Sequence, residues 1–195
     1  MFPCMDPAQE GLSAEQMQAL HDAQETRRRI DRVAAVATIS GWSIGVFAGL
    51  TLIGGIFSIP ALVLGLGMVV VARNELRGAR SIRALDIAAP RRLGWNQIVF
   101  GIMLVVYAVV QMTRALAGPS RYAAYANQGG EIAEMMGSIE SLEKLLAVVV
   151  YMGVVIIGGA STGLTALYYF TRRSHIERFL RQTPPWVVTT IRAVA

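Results

Sequence analysis

The chain has 195 residues, of which 54% are hydrophobic and only 16% are charged. An ordinary soluble domain carries about 25% charged residues, so this chain has too little charge to cover a globule of its size. Its formal net charge is +5, but the basic residues flank apolar stretches instead of covering one soluble face. That distribution argues against a nucleic-acid-binding protein.

Three long stretches contain no Asp, Glu, Lys, Arg or His. They cover residues 33–72, 93–113 and 145–171, which are 40, 21 and 27 residues long. Because a spanning helix needs about 20 mostly apolar residues, the first stretch holds two spans and each of the others holds one. The sequence therefore predicts an all-α integral membrane protein, a bundle of four transmembrane helices with peripheral amphipathic helices on both faces.

The predicted organisation alternates apolar and charged segments along the chain. In order, these are a cytoplasmic N-terminal helical segment (1–32), a transmembrane hairpin of helices 1 and 2 (33–72), an Arg-rich cytoplasmic amphipathic segment (73–92), transmembrane helix 3 (93–116), an external loop with an amphipathic helix (117–144), transmembrane helix 4 (145–170) and a cytoplasmic amphipathic tail (171–195).

The basic residues predict the orientation of the four spans. Residues 1–32, 73–92 and 172–195 together carry 15 of the 18 Lys and Arg residues, and all three segments fall on the side shared by the termini. The positive-inside rule places that side in the cytoplasm. Lys144 is the only lysine and alanine is abundant, which is typical of a GC-rich bacterial genome. We therefore expect a multi-pass protein of the bacterial inner (cytoplasmic) membrane.

The N-terminal segment contains a helix start. Ser13 and Gln16 have the spacing of a capping box, so a helix is expected to begin there and to run towards the first span. It shows no good apolar stripe, so we expect it to be solvated or docked on a partner. Cys4 is the only cysteine, which excludes an intrachain disulfide and a Cys-based metal site. Acidic residues come first in place of a basic, then apolar, signal peptide, so the first span is expected to stay as an anchor.

The hairpin between spans one and two has two possible turns, Gly54–Gly55 and Ser58–Pro60. Either the turn lies near Gly54 or the second helix continues past residue 72. Beyond it, four arginines fall within about 120° on a helical projection. We interpret this face as a contact with anionic lipid headgroups, or alternatively with an acidic partner. Its residues are Arg73, Arg77, Arg80 and Arg83.

Later segments supply interfacial side chains and a second amphipathic helix. Trp95, with its neighbours Asn96 and Gln97, is expected at the membrane interface, as are the aromatic residues 168–170 and the tail residues 186–191. In the external loop, glycines and a proline break the helix at 118–120 and 129–130. Apolar residues between 132 and 142 then recur at helical spacing, which predicts an amphipathic helix lying over the outer end of the bundle.

Small residues at regular spacing predict close helix packing. In lipid, glycine and alanine let two helices approach until van der Waals contact stabilises the pair. The first span has such residues every four positions, the third every seven, and the fourth has a glycine-rich cluster. We predict a helix-packing seam, within the chain or between chains, at Ala37, Gly41, Gly45, Gly49, Gly101, Ala108, Gly159 and Gly163.

Four polar side chains lie within or near the predicted spans: Gln111, Ser161, Thr162 and Thr165. They could line a pore or cavity, or they could form ordinary hydrogen bonds within and between helices. The predicted spans contain no charged residue. That absence argues against proton-coupled pumps, voltage sensors and most ion-coupled transporters, which use intramembrane acidic, Arg or His side chains.

No stretch carries a catalytic, nucleotide-binding or metal-binding signature. His21 and His175 are the only histidines, and neither has ligand-type residues at a suitable spacing. We therefore expect no enzyme activity, no cofactor and no metal. The expected function is a non-catalytic scaffold or accessory subunit that packs against other membrane subunits. The alternative is a homo-oligomeric channel or passive transporter for a small ion or solute. Expected partners are anionic lipid headgroups and other membrane subunits or further copies of the chain, without nucleic acid.

Overall fold

The computed structural model describes residues 13–118 and 131–194, and the side chains of all of these except 132, 133 and 191–194. The described part of the chain is helical and contains no strand. Its helices are α1 (Ala14–Gly55), α2 (Ile59–Arg83), α3 (Ala89–Ala117), α4 (Glu131–Gly153), α5 (Gly159–Gln182) and α6 (Pro185–Val194), with a π-helical turn at Val154–Gly158 joining α4 to α5.

Four helical units are long and apolar enough to cross a membrane. These are α1, α2, α3 and the continuous stretch Glu134–Gln182, which combines most of α4 with the π-helical turn and α5. The prediction of an all-helical chain with four helices long and apolar enough to cross a membrane is therefore confirmed. Cys4 and the helix-breaking residues predicted at 119–130 lie outside the described residues.

The start of α1 follows the predicted capping box. The Gln16 backbone N–H donates to the Ser13 hydroxyl at 3.2 Å, and the Ser13 backbone N–H donates to the Gln16 side-chain oxygen at 2.9 Å. From there α1 runs for 42 residues, so the charged N-terminal segment and the first span form one helix. It ends at Gly55, and α2 begins at Ile59 with Pro60 in its first turn. The two predicted turn signals thus flank one short connection, residues 56–58, and α2 continues past residue 72 to Arg83.

Antiparallel packing brings the three Arg-containing segments to one end of the bundle. We call the end formed by residues 13–32, 73–92 and 171–194 the Arg-rich end. A hydrophobic core fills it and joins α1, α2, α3, α5 and α6. Its largest fully buried members are Ile30, Ile82, Leu85, Leu93, Tyr169, Ile176, Phe179 and Val187.

This core changes the interpretation of both ends of the chain. Ala23 and Ile30 of α1 are buried in it, so the N-terminal segment docks on the same chain. Val187 and Val188 of α6 are also buried there. The expectation that residues 186–191 rest among lipid headgroups is therefore wrong for these two valines. Helix α6 packs back because Thr183 has an extended backbone that ends α5 and reverses the chain.

A second core lies within the apolar stretches. Ile44 and Ala48 of α1 contact α2 residues Leu64 and Met68, and Phe100 of α3 closes the cluster. Burial on α1 falls at positions 37, 41, 44 and 48, alternating steps of four and three residues. That period of 3.5 keeps one side of α1 against α2, as in a left-handed helix pair.

The connection between α2 and α3 is tight and well specified. Leu85 has a φ of 61°, and its N–H donates to the Ile82 carbonyl at 2.9 Å while the Asp86 N–H donates to the Ser81 carbonyl at 3.0 Å. These two bonds define a Schellman motif, in which the left-handed position is usually glycine. Here leucine occupies it, and its side chain is buried in the core of the Arg-rich end.

The segment before the fourth span differs from the predicted one. Residues 131–144 belong to α4, which continues into the span without a break. Met135 and Leu142 are 56% and 57% exposed, and none of the side chains described in α4 is buried. The expectation of an amphipathic helix lying over the outer end of the bundle is therefore not met, because its apolar side chains do not pack on the described part of the other helices.

Candidate functional site

A buried group of polar side chains connects all four spanning units near the Arg-rich end. At its centre, Glu75 of α2 is completely buried. One carboxylate oxygen accepts from Asn96 Nδ2 at 2.9 Å and from Gln97 Nε2 at 3.0 Å, and the other accepts from the Tyr169 hydroxyl at 2.9 Å. Gln97 Nε2 also donates to the Ser40 hydroxyl at 3.1 Å. We call these five residues the polar cluster.

The polar cluster contradicts two expectations. First, the predicted spans contain no acidic residue, yet Glu75 is buried inside the bundle. It lies there because α2 continues past the predicted span to Arg83. Second, Gln97 and Tyr169 were expected at the interface, yet they are 2% and 0% exposed. Trp95, by contrast, is 54% exposed.

Helical periodicity could have revealed Glu75. On α2 it shares a side with the buried residues Ala72, Ala79 and Ile82, at spacings of three, four and seven. Arg73 and Arg77 lie about 160° away from it around the helix. An acidic residue opposite an arginine face is therefore predicted to point into the protein, where it needs hydrogen-bond donors.

The predicted arginine face lies on the outside of α2. Arg73, Arg77, Arg80 and Arg83 are all exposed. Arg83 also donates from Nη2 to the Thr38 hydroxyl of α1 at 3.2 Å. The face therefore presents its guanidinium groups outward from the bundle, at the Arg-rich end.

The small residues of α1 have different surroundings. Ala37 and Gly41 are buried, and a Cβ on Gly41 would lie 2.9 Å from Leu76 Cγ of α2. Gly45 is only half-buried, with Ala72 Cβ at 3.8 Å, and Gly49 has nothing within 4 Å. Four residues advance about 400° around a helix, so a row at spacing four drifts about 40° a step. This drift carries the row away from α2.

The small residues of α3 pack inside the chain, whereas those of the fourth span do not. Gly101 and Ala108 are buried, and a Cβ on Gly101 would lie 2.5 Å from the Thr162 hydroxyl oxygen. Gly159 and Gly163 have nothing within 4 Å of an added Cβ. In the described structure, the small residues of α3 therefore form a packing seam with α5, whereas the glycine pair of the fourth span contacts no other helix at its Cβ positions.

The four candidate lining residues do not form one surface. The hydroxyls of Ser161, Thr162 and Thr165 donate to carbonyls of their own helix, at 3.1, 2.8 and 2.8 Å. Thr162 is buried against Gly101, while Ser161 is exposed. Gln111 is ten residues further along α3 than Gly101, which is about 15 Å away along the helix axis. Its side-chain oxygen is buried and has no hydrogen-bond partner among the residues that the structure describes.

A basic cleft opens between α1 and α5 at the Arg-rich end. Its volume is about 460 Å³, and we call it the Arg cleft. Burial and the positive charges of Arg172, Arg178 and Arg29 lower the pKa of His175, which lies on its wall beyond the apolar stretch of the fourth span. The lining residues are Glu25, Thr26, Arg28, Arg29, Arg32, His175, Arg178 and Gln182.

Within residues 13–118 and 131–194, no group of three or more His, Cys, Asp or Glu side chains could hold a metal ion. The fold and these sites define a class: an all-helical chain with four helices long and apolar enough to cross a membrane, with a polar cluster inside and a basic cleft at one end. Comparison of the chain with family models, curated proteins and solved structures found no match.

Proposed function

We propose that this protein is a non-catalytic scaffold or accessory subunit whose fourth span packs against helices of another membrane subunit. The observation that carries the proposal is the uneven burial of the four spans. In the most apolar 18-residue stretch of α1, of α2 and of α3, 33% of the residues are buried. In the corresponding stretch of the fourth span only 6% are buried. The most apolar part of the fourth span is thus largely peripheral to its own bundle, whereas Ala166 and Tyr169 further along α5 are buried.

Exposure alone would also fit a helix covered by lipid. The glycines of the fourth span distinguish contact with another helix from contact with lipid. Gly153, Gly159 and Gly163 all have open space around the position of a Cβ. Glycine costs about 1 kcal/mol relative to alanine inside a helix and gains nothing from contact with acyl chains. Its advantage in lipid is the close approach of another helix. The π-helical turn at Val154–Gly158 adds a local irregularity of a kind often found at functional sites.

The test is the assembly state of full-length protein extracted from its native membrane in mild detergent. We expect a complex of fixed stoichiometry that the double variant Gly159→Leu/Gly163→Leu dissociates. In the described part of the chain, the Cβ of neither leucine would meet a neighbouring atom within 4 Å, so the isolated subunit should fold normally. The matched control is Gly49→Leu, which introduces the same side chain at an open position on α1.

Native mass spectrometry and crosslinking in the membrane distinguish the outcomes. Dissociation by the double variant but not by Gly49→Leu supports the proposed surface. A complex made only of copies of this chain would instead favour the homo-oligomeric alternative. A monomer in native membranes, or an assembly that the double variant leaves intact, contradicts the proposal.

We also propose that the protein resides in a bacterial inner membrane with both termini in the cytoplasm. The support is that 15 of 18 basic residues belong to the segments of the Arg-rich end. In that orientation the exposed arginines of α2 would face the anionic cytoplasmic leaflet, where each contributes on the order of 1 kcal/mol of attraction.

A further inference from the structure

We propose that the Arg cleft is a binding site for a phosphate-bearing anion. Four guanidinium groups, those of Arg28, Arg29, Arg32 and Arg178, line one concave surface that also contains a single carboxylate, Glu25. Arginine binds phosphate oxygens through paired N–H donors in a planar fork, which makes it the preferred side chain for such a ligand.

The cleft arginines are not used by ion pairs within the described chain. The ion pairs nearest to them in sequence join Arg27 to Asp31 and Arg173 to Glu177, each within one helix. The four cleft arginines form no ion pair among the described residues. Four like charges around one cleft repel each other. A bound anion would reduce this repulsion.

The walls of the cleft add unused hydrogen-bonding capacity. His175 contributes a ring nitrogen, Nδ1, that is buried and has no hydrogen-bond partner among the described residues. The cleft volume of about 460 Å³ falls within the range of about 300–1,000 Å³ that is usual for small-ligand sites.

The cleft lies next to the apolar stretch of α1 and also extends away from it. The phosphate group could therefore be carried by a lipid or by a soluble molecule. Arg32 immediately precedes the apolar stretch of α1, while Glu25 lies two helical turns before it. A phosphate group could therefore come from a lipid headgroup or from solution, and both would use the same guanidinium contacts. Separate probes distinguish these two sources.

The experiment uses full-length protein in neutral detergent, titrated with pyrophosphate by calorimetry, and protein in nanodiscs of phosphatidylglycerol or phosphatidylcholine, followed by thermal unfolding. We expect saturable one-to-one binding of pyrophosphate, or stabilisation by phosphatidylglycerol over phosphatidylcholine that pyrophosphate competes away. The variant Arg29→Gln/Arg178→Gln should weaken the effect at least about tenfold.

The control Arg77→Gln/Arg80→Gln removes the same charge from the exposed face of α2, and in the pyrophosphate titration, which contains no anionic lipid, it should change binding less than about twofold. All four cleft arginines are exposed, so their substitution spares the hydrophobic core. Arg28→Gln/Arg32→Gln replaces the first variant if circular dichroism shows misfolding. Binding of neither probe, or equal losses of pyrophosphate binding in the cleft and control variants, overturns the proposal.

Discussion

At the scale of single residues, Glu75 is the side chain on which the interior of the bundle most depends. Its carboxylate accepts three hydrogen bonds from α3 and α5, at 2.9 to 3.0 Å. A buried carboxylate is stable only when its oxygens have donors, and the donors in turn have no water to replace it. Apolar helix surfaces alone would allow the helices to pack in several registers within lipid. The polar cluster therefore selects one of these registers.

Glu75→Ala should destabilise the protein by roughly 2–4 kcal/mol, because the buried Tyr169 hydroxyl would lose its acceptor and Asn96 and Gln97 would each lose one of theirs. Glu75→Gln should cost less, since the amide oxygen can still accept from Asn96 and Gln97 and the Tyr169 hydroxyl can accept from the amide nitrogen. The measurement is unfolding of detergent-solubilised protein. Glu177→Ala is the control, because Glu177 pairs with Arg173 on an exposed helix surface and such pairs contribute about 0.3–0.5 kcal/mol. Equal losses for Glu75→Ala and Glu177→Ala would show that the polar cluster does not stabilise the bundle.

At the scale of elements, the end of α2 shows how packing overrides local preference. Leu85 adopts the left-handed conformation that glycine tolerates best, yet its side chain is 1% exposed. The strain of about 1 kcal/mol is smaller than the gain from burying leucine. The connection from α2 to α3 is consequently held by its side chain as well as by its backbone hydrogen bonds.

Leu85→Gly should therefore destabilise the protein by roughly 2 kcal/mol, because the lost burial exceeds the relief of strain. Thermal unfolding measures this change. Ala84→Gly is the matched control at the preceding position, which is exposed and has a φ of −77°. It should cost less than about 1 kcal/mol. An increase in stability for Leu85→Gly would mean that backbone strain, and not burial, dominates this turn.

At the scale of the whole molecule, the structure has a polar, core-containing Arg-rich end and an opposite end with little burial. The core of the Arg-rich end draws on α1, α2, α3, α5 and α6, whereas none of the side chains described in α4 is buried. If the Arg-rich end is cytoplasmic, α4 emerges on the other side of the membrane. The two ends can therefore be distinguished by chemical access.

Single cysteines test this orientation in a Cys4→Ser background. Ser138 and Ser174 are exposed, at the start of the fourth helical unit and at the Arg-rich end respectively. A membrane-impermeant maleimide added to intact cells should label Ser138→Cys, and should label Ser174→Cys only after permeabilisation. The reverse pattern would invert the topology, and labelling of both from outside would contradict the four-span arrangement.

Several properties of this protein follow from the sequence alone. The number of spans depends on the lengths of charge-free stretches, because bilayer thickness sets a minimum number of apolar residues for each crossing. The start of α1 at Ser13 depends on two side chains three residues apart. Both signals are local, so neither requires knowledge of which helices meet.

The tertiary structure alone decided which polar and small residues meet across the helices. Glu75 and Tyr169 are 94 positions apart, and the walls of the Arg cleft come from residues 25–32 and 175–182. Similarly, Gly41 packs closely against α2, whereas a Cβ on Gly49, in the same row, would have no atom of another described residue within 4 Å outside its own helix turn. These differences arise because burial depends on the relative position of two helices, and a periodic pattern on one helix does not specify the rotation of its partner.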